Sequence, residues 1–289
     1  MQKEESRAIP ADFNYRALSG LSNELVQKLE TIRPVNLGQA GRIEGITPAA
    51  LTLILAHLRR LAVRGGGAAK NLAQVSRETI LRLSIYHALL NKWQAKTNLI
   101  APGTLPDYWT RHVADSLQLY ALIRKSPGAL PHYWIDIGSG GGFPGLVLAC
   151  LFAAESTTDQ VFSIVLVESI QKKCSFLRRV ISECSINARF DIAQVECNRI
   201  ESATERFANA ELVTARALAS LEKLLEFTGK FLQAEQGISR RALFHKGRDY
   251  RREIQESRGK WDFDLLVHPS RIDPESVILE ISNVSLHGR

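Results

Sequence analysis

The apolar residues of this 289-residue chain follow two periods, and the change comes near residue 130. Before it the spacing is helical: Leu18 to Ile32 and Pro48 to Val63 repeat apolar side chains every three or four positions, which predicts two amphipathic helices. A third helix is predicted from about Pro106 to Ile123. Beyond residue 130, apolar runs of strand length alternate with helical stretches. The runs predict strands at Tyr133 to Ile137, Ser163 to Val167, Phe190 to Val195, Glu211 to Thr214 and Ala242 to His245. Helices are predicted between them at about Gly145 to Ala153 and Ile170 to Cys184. The second has an apolar face of Phe176, Leu177, Val180 and Ile181 and a basic face of Lys172, Lys173, Arg178 and Arg179. Strands that alternate with helices predict an α/β fold on a parallel sheet, with ligands at the carboxyl ends of the strands. The predicted organisation is a small helical segment over 1–64 and a flexible linker over 65–75. An α/β domain with its own N-terminal helices follows over 76–283, and a short tail over 284–289.

The first strand runs into Asp136-Ile137-Gly138-Ser139-Gly140-Gly141-Gly142-Phe143-Pro144-Gly145. Glycines there allow positive φ and close backbone approach, and Pro144 suits the first position of the next helix, whose N-terminal N–H groups would face a polar ligand. A dinucleotide fingerprint needs Gly-x-Gly-x-x-Gly, and counted from Gly138 its last glycine falls on Phe143. A phosphate-cradling P-loop needs Gly-Lys-Ser/Thr, and no lysine lies between Trp134 and Lys172. What fits is Asp-x-Gly-x-Gly-x-Gly from Asp136, which resembles the first motif of class I S-adenosylmethionine-dependent methyltransferases. Glu168 then ends the second strand, where a carboxylate can accept both hydroxyls of an adenosyl ribose; a structural glycine turn and a solvated strand end are the plainer alternatives.

Several stretches occur in the order expected of one family: Arg111-His112-Val113-Ala114-Asp115-Ser116-Leu117, Asp136 to Gly145, Glu168-Ser169 with Lys172-Lys173, and Arg199-Ile200-Glu201. Thr214-Ala215-Arg216-Ala217 with Ala219-Ser220-Leu221, and Lys246-Gly247, complete the series. Over about residues 78 to 283 they resemble the ribosomal RNA small subunit methyltransferase G family, also called glucose-inhibited division protein B. The resemblance implies a class I (Rossmann-like) fold with N-terminal helical additions, S-adenosylmethionine as cofactor, and methylation of N7 of one guanine in 16S ribosomal RNA. It also implies that Gly138 and Phe143 lie against the cofactor, Ile200 and Glu201 at its adenine end, and Arg216 beside the reacting groups. Gly140, Gly142 and Glu168 join them at the strand tips, with Ser139 and Ser169 in the same turns. Family members often carry aspartate where this chain has Glu168.

The residues agree with that chemistry. Guanine N7 carries an exposed lone pair and the sulfonium methyl is already activated, so transfer needs alignment more than a base. Methylation at pyrimidine C5 would need a nucleophilic cysteine. None of Cys150, Cys174, Cys184 and Cys197 has a proline neighbour, so all four are read as ordinary reduced thiols. Amino-group methylation usually shows Asn/Asp-Pro-Pro-aromatic after the fourth strand, where this chain has Thr-Ala-Arg-Ala. No catalytic acid or base is assigned; His112 and Asp115 are expected to help Arg216 with alignment. Arg111, His112, Ser116, Lys172, Lys173, Arg178 and Lys246 are the RNA-binding candidates, against the plainer readings of a buried His112–Asp115 pair and solvated basic faces.

Charge adds a bound. The net charge is +7, but residues 1–75 hold ten Lys/Arg against six Asp/Glu, which leaves 27 against 24, or only +3, for the rest. RNA contact would therefore rest on local basic patches. No metal-type Cys/His spacing occurs and the N-terminus has no apolar signal core. The longest apolar run, Leu146 to Ala154, is far shorter than the roughly 20 residues of a membrane span. The expected protein is a cytoplasmic monomer without metal that acts on 16S ribosomal RNA or a small-subunit precursor.

The first residues have another affinity. Ile9-Pro10-Ala11-Asp12-Phe13-Asn14-Tyr15, Gly20-Leu21-Ser22-Asn23-Glu24, Arg33-Pro34, Gly38-Gln39-Ala40, Arg42-Ile43 and Gly45 to Ala50 resemble the C-terminal helical end of the glucose-inhibited division protein A family. Those flavoenzymes modify the tRNA wobble uridine; the match covers about residues 9 to 60 and includes nothing like their FAD domain. An in-frame junction of two neighbouring genes, or a misplaced start, is the expected origin. The competing function is a non-catalytic RNA-binding module with this tail, which predicts damage in the glycine turn, the second-strand acid or Arg216. None is visible.

Overall fold

The computed structural model describes residues 9, 13–18, 20–62, 75–125, 130–207, 209–233 and 240–287. Three longer helices come first: α1 (Asn23–Ile32), α2 (Pro48–Ala62) and α3 (Arg77–Gln94). A π-helical turn, Tyr108–Ala114, leads into α4 (Asp115–Lys125). The α/β part then runs β1 (Tyr133–Ile137), α5 (Gly145–Glu155), β2 (Ser163–Glu168), α6 (Gln171–Glu183), β3 (Ala193–Cys197) and β4 (Leu212–Arg216). It ends with α7 (Leu221–Thr228), β5 (Arg241–Lys246), α8 (Tyr250–Arg258), β6 (Trp261–Pro269) and β7 (Val277–Leu286).

The seven strands form one sheet in the order β3-β2-β1-β4-β5-β7-β6, with β1 to β5 parallel and β7 antiparallel to both its neighbours. This is the class I, Rossmann-like sheet that the sequence leads one to expect. Both faces are covered, which explains why the central strands are continuous apolar runs. Trp134, Leu166, Leu212 and Leu243 pack toward α3 to α6 on one face. Ile135, Val167, Val213 and Phe244 pack toward α7 and its neighbours on the other. Every residue of α5 from Gly145 to Phe152 is buried, so that helix lies inside the molecule rather than on it.

The strand order reverses between β2 and β4, and β1 lies at the switch point where crevices form in open α/β sheets. Register completes the placement. Ile137 pairs with Val167 on one side and Ala215 on the other, so Gly138, Glu168 and Arg216 leave the sheet side by side.

Four expectations need correction. The predicted tail over 284–289 begins inside β7, which continues to Leu286. The helix expected from Pro106 to Ile123 is a π-helical turn followed by α4, so its first residues do not follow the simple helical face assumed for them. Pro144 precedes the first residue of α5 as its N-cap instead of occupying the first helical position. Cys174 and Cys197 are not free thiols: they are joined as a disulfide between α6 and the end of β3, with Cα atoms 5.9 Å apart. Cys150 and Cys184 are free and buried.

The N-terminal segment has its own core, in which Phe13, Tyr15, Leu25, Leu29, Ala40 and Ile54 pack together. It meets the α/β part through α2 against α3. The predicted linker over 65–75 lies, apart from Val75, outside the described residues.

Candidate active site

The turn after β1 is built by its own backbone. Gly138, Gly140 and Gly142 have φ of 63°, 54° and 91°, a region that side chains with a Cβ seldom occupy. Ser139 donates its N–H to the Val167 carbonyl (3.1 Å) and its hydroxyl to the Asp136 carbonyl (2.9 Å). Beside it, Glu168 accepts the Gly140 N–H at Oε2 and the Ile170 N–H at Oε1, each at 2.9 Å. The second-strand acid therefore fixes the turn as well as facing the space in front of it. Gly142 is different: a Cβ there would lie 2.6 Å from the Tyr86 hydroxyl and 2.5 Å from Leu146 Cδ1. Its lack of a side chain serves packing, and it does not line the cavity, contrary to its expected place against the cofactor.

Asp136 stands behind the turn with no exposed surface. Its Oδ1 accepts the Thr214 hydroxyl at 2.7 Å, while Oδ2 has no hydrogen-bond partner. Burial pushes its carboxyl up to about 6, against the Thr214 hydrogen bond that favours the charged form.

In front of the turn is a cavity of about 820 Å³, large enough for a nucleoside-sized ligand. Gly138 to Gly141 and Phe143 form its floor, Glu168 to Ile170 with Lys173 one wall, and Asn198 to Glu201 the next. Arg216 to Ala219 with Phe227 close the opposite side, and Leu99 to Ala101, Thr104 and His112 form the roof. The roof segment carried no recognisable motif. It is held by Gln94, whose Oε1 accepts the N–H groups of Leu99 and Ile100 and whose amide donates to the Ile100 carbonyl. A glutamine near a helix end was the available signal, and it reads like any polar surface residue.

Arg216 links the π-helical turn to β4. Its Nε pairs with Asp115 Oδ2 (3.1 Å), one terminal nitrogen donates to the Arg111 carbonyl (2.6 Å), and the other donates to His112 Nδ1 (3.2 Å). That leaves the opposite ring nitrogen of His112 to donate to the Thr104 hydroxyl at 2.9 Å. Burial, reinforced by the charges of Arg216 and Arg111, pulls His112 down to about 3, so its imidazole is neutral. Burial also lowers Arg216, and Asp115 opposes that. Asp115 thus pairs with arginine and not with His112; on its far side lie Gln118 and His245, the latter missed by sequence reading.

Of the residues singled out from sequence, Gly138, Ser139, Gly140, Phe143, Glu168, Ser169, Ile200, Glu201, Arg216, His112 and Lys173 all line the one cavity. Asp115 lies one step behind it. Arg111, Lys172 and Arg178 are exposed, and Arg178 lies away from the cavity, donating to the Val195 carbonyl of β3 at 3.3 Å. Two RNA-binding candidates are corrected. Ser116 has no exposed surface and donates to the His112 carbonyl at 2.7 Å within its own helix. Lys246 is buried, paired with Glu253, and bonded to the Ala219 carbonyl.

The model of the family described as rRNA small subunit methyltransferase G matches residues 79–272. Proteins of that name are similar to this chain: one from Rhizobium leguminosarum bv. trifolii is 47% identical over 211 residues, covering 73% of this chain and 95% of that protein. One from Brucella ovis is 49% identical over 212 residues, 73% of this chain and 90% of that protein. The chain belongs to this family. Residues 1–83 match a second model, the C-terminal helical bundle of the tRNA modifying enzyme MnmG/GidA, a longer stretch than the 9–60 read from sequence. Among solved structures, a methyltransferase from Geobacter sulfurreducens overlaps at TM-score 0.42 with 11% identity, over 70% of this chain and 87% of that one. Among the described residues no helix is long and apolar enough to cross a membrane, and no group of three His, Cys, Asp or Glu could hold a metal ion.

Proposed function

We propose that this rRNA small subunit methyltransferase G family member transfers the methyl group of S-adenosylmethionine to N7 of a guanine in 16S ribosomal RNA. The observation that carries the reading is the cavity at the switch point, where a left-handed glycine turn, a strand-tip carboxylate already accepting two backbone N–H groups and an immobilised arginine meet. The residues fit the cofactor. A Cβ added at Gly140 would meet nothing closer than 3.7 Å, so the turn leaves space beside its backbone for a ligand. Gly138, Ser139, Gly140 and Phe143 would hold it from below, Glu168 with Ser169 would receive ribose hydroxyls, and Ile200 with Glu201 would flank adenine.

When bound, the cofactor supplies a methyl group activated by a sulfonium sulfur. A guanine N7 lone pair could take that methyl without giving up a proton, so the chain's residues need supply no base. Neutral His112 is far too weak a base to be needed for removing a proton. Alignment is then the enzyme's task, and it can contribute on the order of 7 to 11 kcal/mol. Arg216, held on three sides by Asp115, Arg111 and His112, is a rigid edge against which the acceptor base can be set. Arg111, whose carbonyl bonds Arg216, and Lys172 and Lys173, at the start of α6, supply cations for the RNA backbone. The same reading takes the protein as a monomer acting on 16S ribosomal RNA or a small-subunit precursor in the cytoplasm.

The test uses purified protein, methyl-tritiated S-adenosylmethionine and unmethylated small-subunit RNA, with the product mapped by borohydride and aniline cleavage. Label at a single guanine N7 is the expected result. Absence of transfer, or label at another atom, overturns the reading.

A further inference from the structure

Lys246 ends β5 as a buried cation, although sequence reading offered it to RNA. Its Nζ donates to the Ala219 carbonyl at 2.8 Å and pairs with Glu253 Oε2 of α8 at 2.5 Å. The same Oε2 accepts the Leu221 N–H, the first of α7, at 2.6 Å. Lysine and glutamate together therefore grip both sides of the joint where the segment after β4 enters α7.

That segment is the cavity wall beside Arg216. It begins with Ala217, a non-glycine residue at φ 52°, in a backbone region that a side chain with Cβ occupies only when the surroundings enforce it. Next comes Leu218, which lies on the glycine turn: a Cβ added at Gly138 would be 2.4 Å from Leu218 Cδ1. Behind the segment is a second, smaller cavity of about 100 Å³, bounded by Ala217 to Ala219, Leu224, His245, Lys246 and Glu253. Leu218 packs against the core beneath α7 with cavity space on both sides, and the ion pair anchors its neighbour Ala219.

Stability gives little reason for such a pair, since buried ion pairs are often matched or surpassed by apolar residues of similar volume. Placement gives a better one. Resting on the methyl-transfer reading above, we propose that Lys246 is a positioning residue of the reaction: through Ala219 it holds Leu218 against Gly138 and so sets the wall between the cofactor turn and the acceptor base. It touches neither reactant.

The experiment compares the full-length wild type with Lys246→Met and Glu253→Gln, measuring kcat and KM for RNA, S-adenosylmethionine affinity by calorimetry without RNA, and Tm. A wall displaced by roughly 1 Å should lower kcat about 10- to 100-fold in Lys246→Met, with KM and cofactor affinity moving less than about threefold. Glu253→Gln keeps an acceptor for Leu221 but loses the charge that holds lysine, so a smaller fall of the same kind is expected. A merely structural lysine would lower Tm and leave kcat near wild type, which overturns the proposal. So does a loss that appears wholly as weakened cofactor binding. If Lys246→Met does not fold, Glu253→Gln decides by the same criteria. A wild type that transfers no methyl overturns the functional reading itself, whereas an active wild type with an equally active variant overturns only the role of Lys246.

Discussion

In the N-terminal helical segment, polar groups stay at the surface. Ser22 caps α1 by accepting the Leu25 N–H, Arg16 pairs with Glu30 at the rim, and Lys28 pairs with Glu24 along one helix face. The interior is apolar: among the described residues, no polar or charged side chain before Thr79 is buried. The α/β part does the opposite at one edge of its sheet. Asp136, Glu168, His112, Thr214 and Lys246 are all buried there: Glu168 and His112 line the main cavity, and the others stand behind it at or near the strand ends. Burying polar groups costs free energy unless they are paired, and folding alone does not require it. Where a fold concentrates them, chemistry is the usual reason.

The sharpest test of this contrast is a substitution in the turn. Gly140→Asp asks an aspartate to adopt φ 54° and places a second carboxylate beside Glu168, which already accepts the Gly140 N–H. Cofactor affinity should fall by more than about 100-fold, counting both backbone strain and like-charge repulsion. Circular dichroism should still report a folded protein with its helices intact. Unchanged affinity in calorimetry would remove the turn from the binding site, and with it the meaning given to the buried polar edge.

Much of that edge was legible beforehand, for physical reasons. Strands buried on both faces announce themselves as apolar runs and glycines suit positive φ, so β1, β2, β4, β5 and the turn were readable, whereas the edge strand β3, expected at Phe190 to Val195, runs Ala193–Cys197. Other features depend on contacts distant in sequence. β6 alternates Trp261, Phe263 and Leu265 with Asp262 and Asp264, an edge-strand pattern easily lost among charges. The roof at Leu99 to Thr104 is an irregular segment placed by Gln94, and Lys246 looks like any surface lysine until Glu253 is brought to it. The Cys174–Cys197 link likewise exists only because β3 runs parallel to β2 and ends beside the start of α6. Local pattern identifies what a residue prefers; the sheet decides which preferences are overruled.

Asp136 allows the cost of the buried edge to be measured. Its carboxyl lies at about 6 in the folded protein against an ordinary 3.8, so the folded state binds that proton more tightly than the unfolded chain does. Stability from this group is therefore full below about pH 4 and is lost as pH rises to about 6. The gap between 3.8 and about 6 corresponds to about 3 kcal/mol. Urea unfolding of wild type and Asp136→Asn across this range should show the wild type losing about that much relative to the variant as pH rises. A difference that stays flat with pH would mean the carboxyl is not held out of water as its burial implies.

The smallest effect belongs to the other region. Ser22→Ala removes the side-chain acceptor for the Leu25 N–H and leaves one of the orphan donors at the start of α1 to water. Such a cap is worth about 1 kcal/mol, so protection of α1 amides in hydrogen exchange should drop roughly fivefold. Methyl transfer and cofactor affinity should not move, because this helix shares neither a buried polar group nor a cavity wall with the site. A route for an effect is α2 against α3, since α3 carries Tyr86, whose hydroxyl bonds the Gly141 carbonyl of the turn. A change in transfer rate in Ser22→Ala would show that this route carries strain into the turn, and the two regions would then have to be treated as one cooperative unit.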